Sequence, residues 1–384
     1  MAGILYGWIG IYYGTTAQMV DTWGFHYSGL QEYKLLQTNP HEYFINLFQN
    51  PFQDGYYKFL SGHDSYWNEL KGKSITKLLS VFDIFSLGNY YVNIIFYSFI
   101  TLFGSIAIYR VMTDIFPQKT LAVGIACFLI PSTIYWCSGI HKEGLIFTGI
   151  SLIVYAFYFH LTRRRFTVKR IVAFIAGLII VVLLRNFLLV LLIPALISWW
   201  LATRYRSRPL LVFCLVYLFF GVLFFMGKYI SPSLDLPSLV VAKQREFLDM
   251  FGGSMIPVEE LKPTAIDFIK TIPQALGIAG LRPYPSDVKH ILSMAAAVEI
   301  DGLLLLFILF LFFRSNHLSD RTFIYFCLFF SFSTLLSIGY TVNFIGAIVR
   351  YRSVILPFLV TPMVAMTDWN RLARIVFANK LTPS

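Results

Sequence analysis

Residues 171–201 read IVAFIAGLIIVVLLRNFLLVLLIPALISWWL, and how this run is divided decides how the rest of the chain threads. As one helix it would be roughly 46 Å long at about 1.5 Å per residue. The hydrocarbon core of a bilayer is only about 30 Å thick. A single helix would also hold Arg185 and Asn186 near its middle, where a charge is costly. The run is therefore read as two spans joined by a tight turn at Arg185-Asn186. Reading it as one span would reverse the side of every later segment.

Composition says the same of the whole chain. Of 384 residues, 57% are hydrophobic, 18% aromatic and 13% charged, whereas an ordinary soluble domain carries about 25% charged residues. The excess apolar surface must face lipid. The expectation is an all-α polytopic membrane protein, a single transmembrane domain over 1–384 with about ten transmembrane helices. The spans are expected at 2–20, 90–109, 119–137, 144–161, 170–184, 187–203, 209–227, 293–313, 322–340 and 350–367. The N-terminus lacks a basic segment followed by a cleavage site, so 2–20 is read as a retained span.

The formal net charge is +11. With ten spans, alternate connections and the C-terminal tail collect Arg110, Lys119, Arg163, Arg164, Arg165, Lys169, Arg170, Arg204, Arg206, Arg208, Arg314, Arg321, Arg371, Arg374 and Lys380, with Asp114, Asp320 and Asp368 as their only acids. The positive-inside rule then puts these connections and both termini in the cytoplasm. The basic balance has a topogenic cause and needs no nucleic acid partner. Cys127, Cys214 and Cys327 lie in apolar runs and Cys137 near a span end; their spacing supports neither a disulfide framework nor a zinc site.

Two long loops, 21–89 and 228–292, fall on the outer side. Loops of this length usually carry function or structure of their own. The first is aromatic and has amphipathic stretches such as Tyr27–Leu36, which predicts short interfacial helices on the outer leaflet. The second is broken by seven prolines from Pro232 to Pro285, with helical turns expected around 240–250 and 263–272.

Ionisable residues at outer span ends are candidates for function: Asp21, His26, His141, Lys142, Glu143, Arg185, Arg282, Glu299, Asp301, Arg350 and Arg352. Each could instead mark a helix end or snorkel to headgroups. Asp21 could act as a general base toward an acceptor hydroxyl or cap the next helix. Within Ser138–Gly144, Lys142 could hold a phosphate. Glu143 could orient it, bind a divalent cation or cap the following helix. Arg350-Tyr351-Arg352 puts two arginines on the outer side against the positive-inside trend, and forked guanidinium donors suit phosphate oxygens. Arg282-Pro283-Tyr284 and Arg185-Asn186 repeat that signal more weakly. There is no nucleotide-binding glycine loop, zinc protease motif or nucleophile elbow.

Four features together resemble bacterial GT-C type membrane glycosyltransferases, the protein mannosyltransferase-like group that uses polyprenyl-phosphate-linked sugars. They are Asp21 directly after the first span, the long aromatic first loop, Pro131-Ser132-Thr133-Ile134-Tyr135-Trp136-Cys137-Ser138-Gly139-Ile140-His141-Lys142-Glu143-Gly144, and Asn343–Pro357 with its Arg350-Tyr351-Arg352 core. The chain departs from that pattern in having Thr22 rather than Glu after Asp21 and no Asp-x-Asp in the first loop.

The resemblance implies a site on the outer face of a bacterial cell membrane, with Asp21 as acceptor-activating base and Glu143 beside it. Lys142, Arg350 and Arg282 would hold the lipid phosphate, with His26, His141, Arg185 and Arg352 in the same binding region. The partners implied are a lipid-linked sugar donor, a glycan or lipid acceptor and membrane lipids. No cofactor is implied, and a divalent metal is allowed without being required. Two other classes remain open: a surface polysaccharide polymerase or ligase using polyprenyl-diphosphate-linked glycans, and a non-enzymatic transporter or flippase. The one-sided placement of polar groups, and the absence of inverted repeats, favour an enzyme on one leaflet.

Overall fold

A computed structural model describes residues 1–14, 21–60, 64–163, 167–205, 208–315 and 320–377. Among the described residues every regular element is a helix and there is no sheet; Met255–Phe344 and Arg314–Thr367 make isolated antiparallel bridges. The helices are α1 (Ala2–Gly14), α2 (Asp21–Thr38), α3 (Pro40–Ile45), α4 (Tyr66–Ser86), α5 (Tyr90–Ile115), α6 (Thr120–Phe128), α7 (Pro131–Ser138), α8 (Lys142–Arg163) and α9 (Val168–Arg185). They continue with α10 (Leu188–Arg204), α11 (Pro209–Met226), α12 (Leu236–Leu248), α13 (Ala265–Leu281), α14 (Ile291–Phe312), α15 (Arg321–Thr341), α16 (Ile345–Ser353), α17 (Leu356–Met366) and α18 (Trp369–Phe377).

The expected ten spans are not found. Five helices are long and apolar enough to cross a membrane: α5, α8, α11 with its short extension to Tyr229, α14 and α15. The number rises to seven if α6–α7 and α16–α17 each count as one bent span. The overcount has physical causes. The run 171–201 does break after Arg185, but α9 carries Lys169, Arg170 and Arg185, and α10 is only 17 residues long with Pro194 inside it. The first expected span yields the short helix α1; residues 15–20 lie outside the described residues. Hydropathy alone does not register the bends of 55° between α6 and α7 and 63° between α16 and α17.

Both breaks have local reasons. Pro131 opens α7 and lacks an amide hydrogen to continue α6. The amide of Ser132, left without a partner in its own helix, is taken up by Glu299 Oε2 of α14 at 2.6 Å. Pro357 stands in the first turn of α17. The breaks are tied together where Thr133 Oγ1 donates to the Ser353 carbonyl at 2.8 Å, and α6 packs on α17 as α7 packs on α16.

The two long loops are more helical than the expected short surface pieces. Segment 21–89 holds α2, α3 and the 21-residue α4, which runs into a left-handed Leu87 and a Gly88 with φ of 79°. Asn89 then caps α5 by accepting from the Tyr91 and Val92 amides. In segment 228–292, α12 and α13 stand close to the two places expected, and α13 runs on past Pro273. The main core is shared: Ile75, Leu79 and Phe82 of α4 and Phe247 of α12 pack into the same buried cluster as α5, α8, α15 and α17. The loop helices are thereby fixed to the bundle.

Candidate functional site

The site forms where α2, α8, α9 and α16 meet. Asp21 opens α2, Lys142 and Glu143 open α8, Arg185 closes α9, and Arg350 lies in the last turn of α16. Arg350 Nη1 donates to Asp21 Oδ2 at 2.7 Å, joining residues 329 apart in sequence. The same nitrogen lies 3.1 Å from His141 Nε2, and His141 Nε2 lies 3.2 Å from Asp21 Oδ2. The other ring nitrogen, Nδ1, meets Glu143 Oε2. Glu143 Oε1 accepts from Arg185 Nη2 at 2.9 Å and lies 3.7 Å from Arg350 Nε.

The exposures are graded. The Glu143 side chain is fully buried, His141 is 4% exposed, Arg350 20% and Asp21 57%. The network therefore runs from a carboxylate at the surface to one sealed in the bundle. Aromatic rings enclose its middle: Tyr6, Phe25 and Trp136 surround the imidazole with centroids at 6.5, 6.1 and 6.1 Å. Tyr351 stacks under Arg185, 4.3 Å from its ring centre. Tyr97 donates its hydroxyl to the His141 carbonyl and fixes the turn before α8. Gly144 follows because a methyl there would run into the Cys137 carbonyl.

The charges act on one another. The His141 hydrogen bond, and then the Arg350 guanidinium, hold the Asp21 carboxyl well below the usual carboxylate range. Burial, and then the charge of Arg350, push the His141 imidazole down to about 4. The ring is therefore neutral near pH 7 and carries one proton on one of two nitrogens, each facing a carboxylate. Such a ring can pass a proton between Asp21 and Glu143.

Of the residues singled out in the sequence, Asp21, His141, Glu143, Arg185 and Arg350 make one contiguous network, and Lys142 stands beside it with its ammonium 5.3 Å from the Phe25 ring. The others lie elsewhere. His26 is buried against Trp23 and Tyr90. Arg282 pairs with Asp287 at 3.1 Å. Arg352, 1% exposed, donates to the carbonyls of Ala279 and Arg282 at 3.0 and 2.8 Å and so holds the end of α13. Glu299 serves the α6–α7 break, and Asp301 is exposed on α14.

Sequence reasoning missed Lys71 and Lys243. Lys71 lies half-buried one turn before Ile75 on the core-facing side of α4, and Lys243 lies exposed on α12, one turn before Phe247 and paired with Glu246. Their charges are felt at Lys142, with that of Lys243 reaching Tyr351 as well. The available signal was a lysine in register with a buried apolar stripe. Among the described residues no three His, Cys, Asp or Glu side chains are arranged to hold a metal ion. Comparisons with family models, with curated proteins and with solved structures return no match to this chain.

Proposed function

We propose that this is a membrane glycosyltransferase that moves a sugar from a polyprenyl-phosphate carrier to an acceptor hydroxyl. The observation that carries the reading is the Asp21–Arg350 contact. It joins an exposed carboxylate to a cationic group at the end of the molecule where both long connecting segments lie. Arg350, Arg185 and Lys142 supply donors for a phosphate that leaves with added negative charge, and fixed cations at such a leaving group lower the barrier.

As it stands, Asp21 is too tightly held to be a good base. A phosphate arriving at Arg350 competes for the same guanidinium, loosens Asp21 and raises its proton affinity toward the working range. Substrate binding thus switches the base on, and His141 offers the abstracted proton a way to Glu143.

The far ends of these helices support an outer location. Arg163 meets Asp114 at 3.5 Å at the end of α8 opposite the site, and Arg314 and Arg371 stack on Phe310 and Phe313 at the inner turn between α14 and α15. By the positive-inside rule that basic face is cytoplasmic, and the site opens on the outer face of a bacterial cell membrane. The test is Asp21→Asn beside Arg350→Gln in cells lacking the native copy, reading the cell-envelope glycan. Normal membrane insertion with lost glycan is expected. Full glycan in both variants would overturn the reading.

A further inference from the structure

We propose that α18 is a docking helix for anionic lipid, lying on the leaflet at the end of the bundle where α14 turns into α15, with Arg371 and Arg374 on the phosphate headgroups. The helix is two-sided at the helical period: Trp369, Leu372 and Ile375 recur at every third residue, while Asn370, Arg371 and Arg374 take the other side. At nine residues it is too short to cross a bilayer. A short helix with tryptophan on its apolar side and arginines on its polar side suits the boundary between headgroups and acyl chains.

Backbone contacts fix where α18 starts. The Asp368 amide donates to the Phe313 carbonyl at 2.8 Å, the Ser315 amide donates to the Met366 carbonyl at 2.8 Å, and Arg314 faces Thr367 in the bridge between them. Thr367 is extended, with ψ of 132°, so α18 does not prolong α17. Asp368 then caps α18 by accepting from the Arg371 amide at 3.0 Å. Trp369 Nε1 donates back to the Val364 carbonyl at 2.9 Å and anchors the first turn. Beyond that turn Ala373, Arg374 and Ile375 are exposed, Ile375 at 59%. The charge says what covers this surface. Arg371 stands 5.8 Å from the Phe313 ring, next to the exposed Arg314, and Arg374 follows one turn on. Among the described residues none of these three arginines has a carboxylate in ion-pair range. A leaflet answers both sides of the helix at once, with acyl chains for Leu372 and Ile375 and a continuous layer of phosphates for the guanidinium groups. Because α14 and α15 are long and apolar enough to cross the bilayer, that surface reaches α18 without a second encounter.

The experiment uses the full chain with Cys127, Cys137, Cys214 and Cys327 replaced and one fluorophore attached at Ile375→Cys. The protein is placed in nanodiscs of phosphatidylcholine, alone or mixed with phosphatidylglycerol. Acrylamide, a neutral quencher confined to water, reads the exposure of the label. Phosphatidylglycerol is expected to cut quenching at least about threefold, through the pull of an anionic surface on two arginines. High salt should reverse that gain. The Arg371→Gln/Arg374→Gln pair should lose the lipid difference, and the Arg371→Lys/Arg374→Lys pair should keep it, which separates lost charge from lost folding. A label at Asn370→Cys, on the polar side, should stay accessible in both lipids. Equal quenching at residue 375 in the two lipids, or a difference that survives the glutamine pair, would overturn the proposal. So would equal protection at residues 370 and 375, which means a helix buried in protein, or protection supplied in phosphatidylcholine by inorganic phosphate alone. Because the assay reads no glycan, its outcome is independent of whether Asp21→Asn abolishes glycan.

Discussion

Glu143→Gln removes one charge from the deepest point of the network without changing its shape. The carboxylate it replaces is fully buried and answers Arg185 at 2.9 Å, Arg350 at 3.7 Å and His141 through its second oxygen. A glutamine keeps one acceptor and loses the counter-charge, leaving two largely buried guanidinium groups under-compensated. Breaking a buried pair from one side costs about 3–5 kcal/mol. Two features offset part of this: Arg350 keeps its bond to Asp21, and Arg185 keeps the Tyr351 ring, a contact worth about 0.5–2 kcal/mol. The expected loss is about 3 kcal/mol. It is measured by equilibrium unfolding of the purified protein in mixed micelles at rising dodecyl sulfate fraction. A double-mutant cycle with Arg185→Gln isolates the pair, with an expected coupling of about 1.5–3 kcal/mol. A loss under about 1 kcal/mol, or additive effects in the cycle, would refute the claim that Glu143 anchors the two arginines.

Gly144→Ala drives a methyl into the Cys137 carbonyl and should lower stability by about 1–3 kcal/mol in the same unfolding assay, whereas a neutral result would show that the turn before α8 can yield. Arg352→Met should reduce the amount of folded protein while leaving glycan output per folded molecule unchanged, because Arg352 holds carbonyls of α13 and not the network. A drop in output per molecule would return Arg352 to the site.

Much of the site was legible because charges are rare in this chain, so each one near a span end stands out. Asp21, His141, Glu143, Arg185 and Arg350 could be picked out as residues, though nothing in their spacing says that Asp21 and Arg350 touch. Arg352 shows the limit of that reasoning. It shares the Arg350-Tyr351-Arg352 motif, but two residues along a helix turn its side chain to another face, where it serves α13. Lys71 was passed over because lysines in polar segments look solvated; only the packing of α4 against the core half-buries it. The span count failed where hydropathy is blind. Windows over 119–137 and 350–367 average across bends at Pro131 and Pro357, and the window over 2–20 yields only a short helix within the described residues.

The contact between Asp21 and Arg350 is the point on which the account turns, and cysteine cross-linking measures it directly. Asp21→Cys and Arg350→Cys are placed in a chain whose native Cys127, Cys137, Cys214 and Cys327 have been replaced. A short bifunctional thiosulfonate is added to membranes, and the chain is then cut at a protease site inserted between α10 and α11. The account predicts that the two fragments stay joined until reductant is added, in the intact membrane and without substrate. Fragments that separate despite full labelling of both cysteines would contradict it.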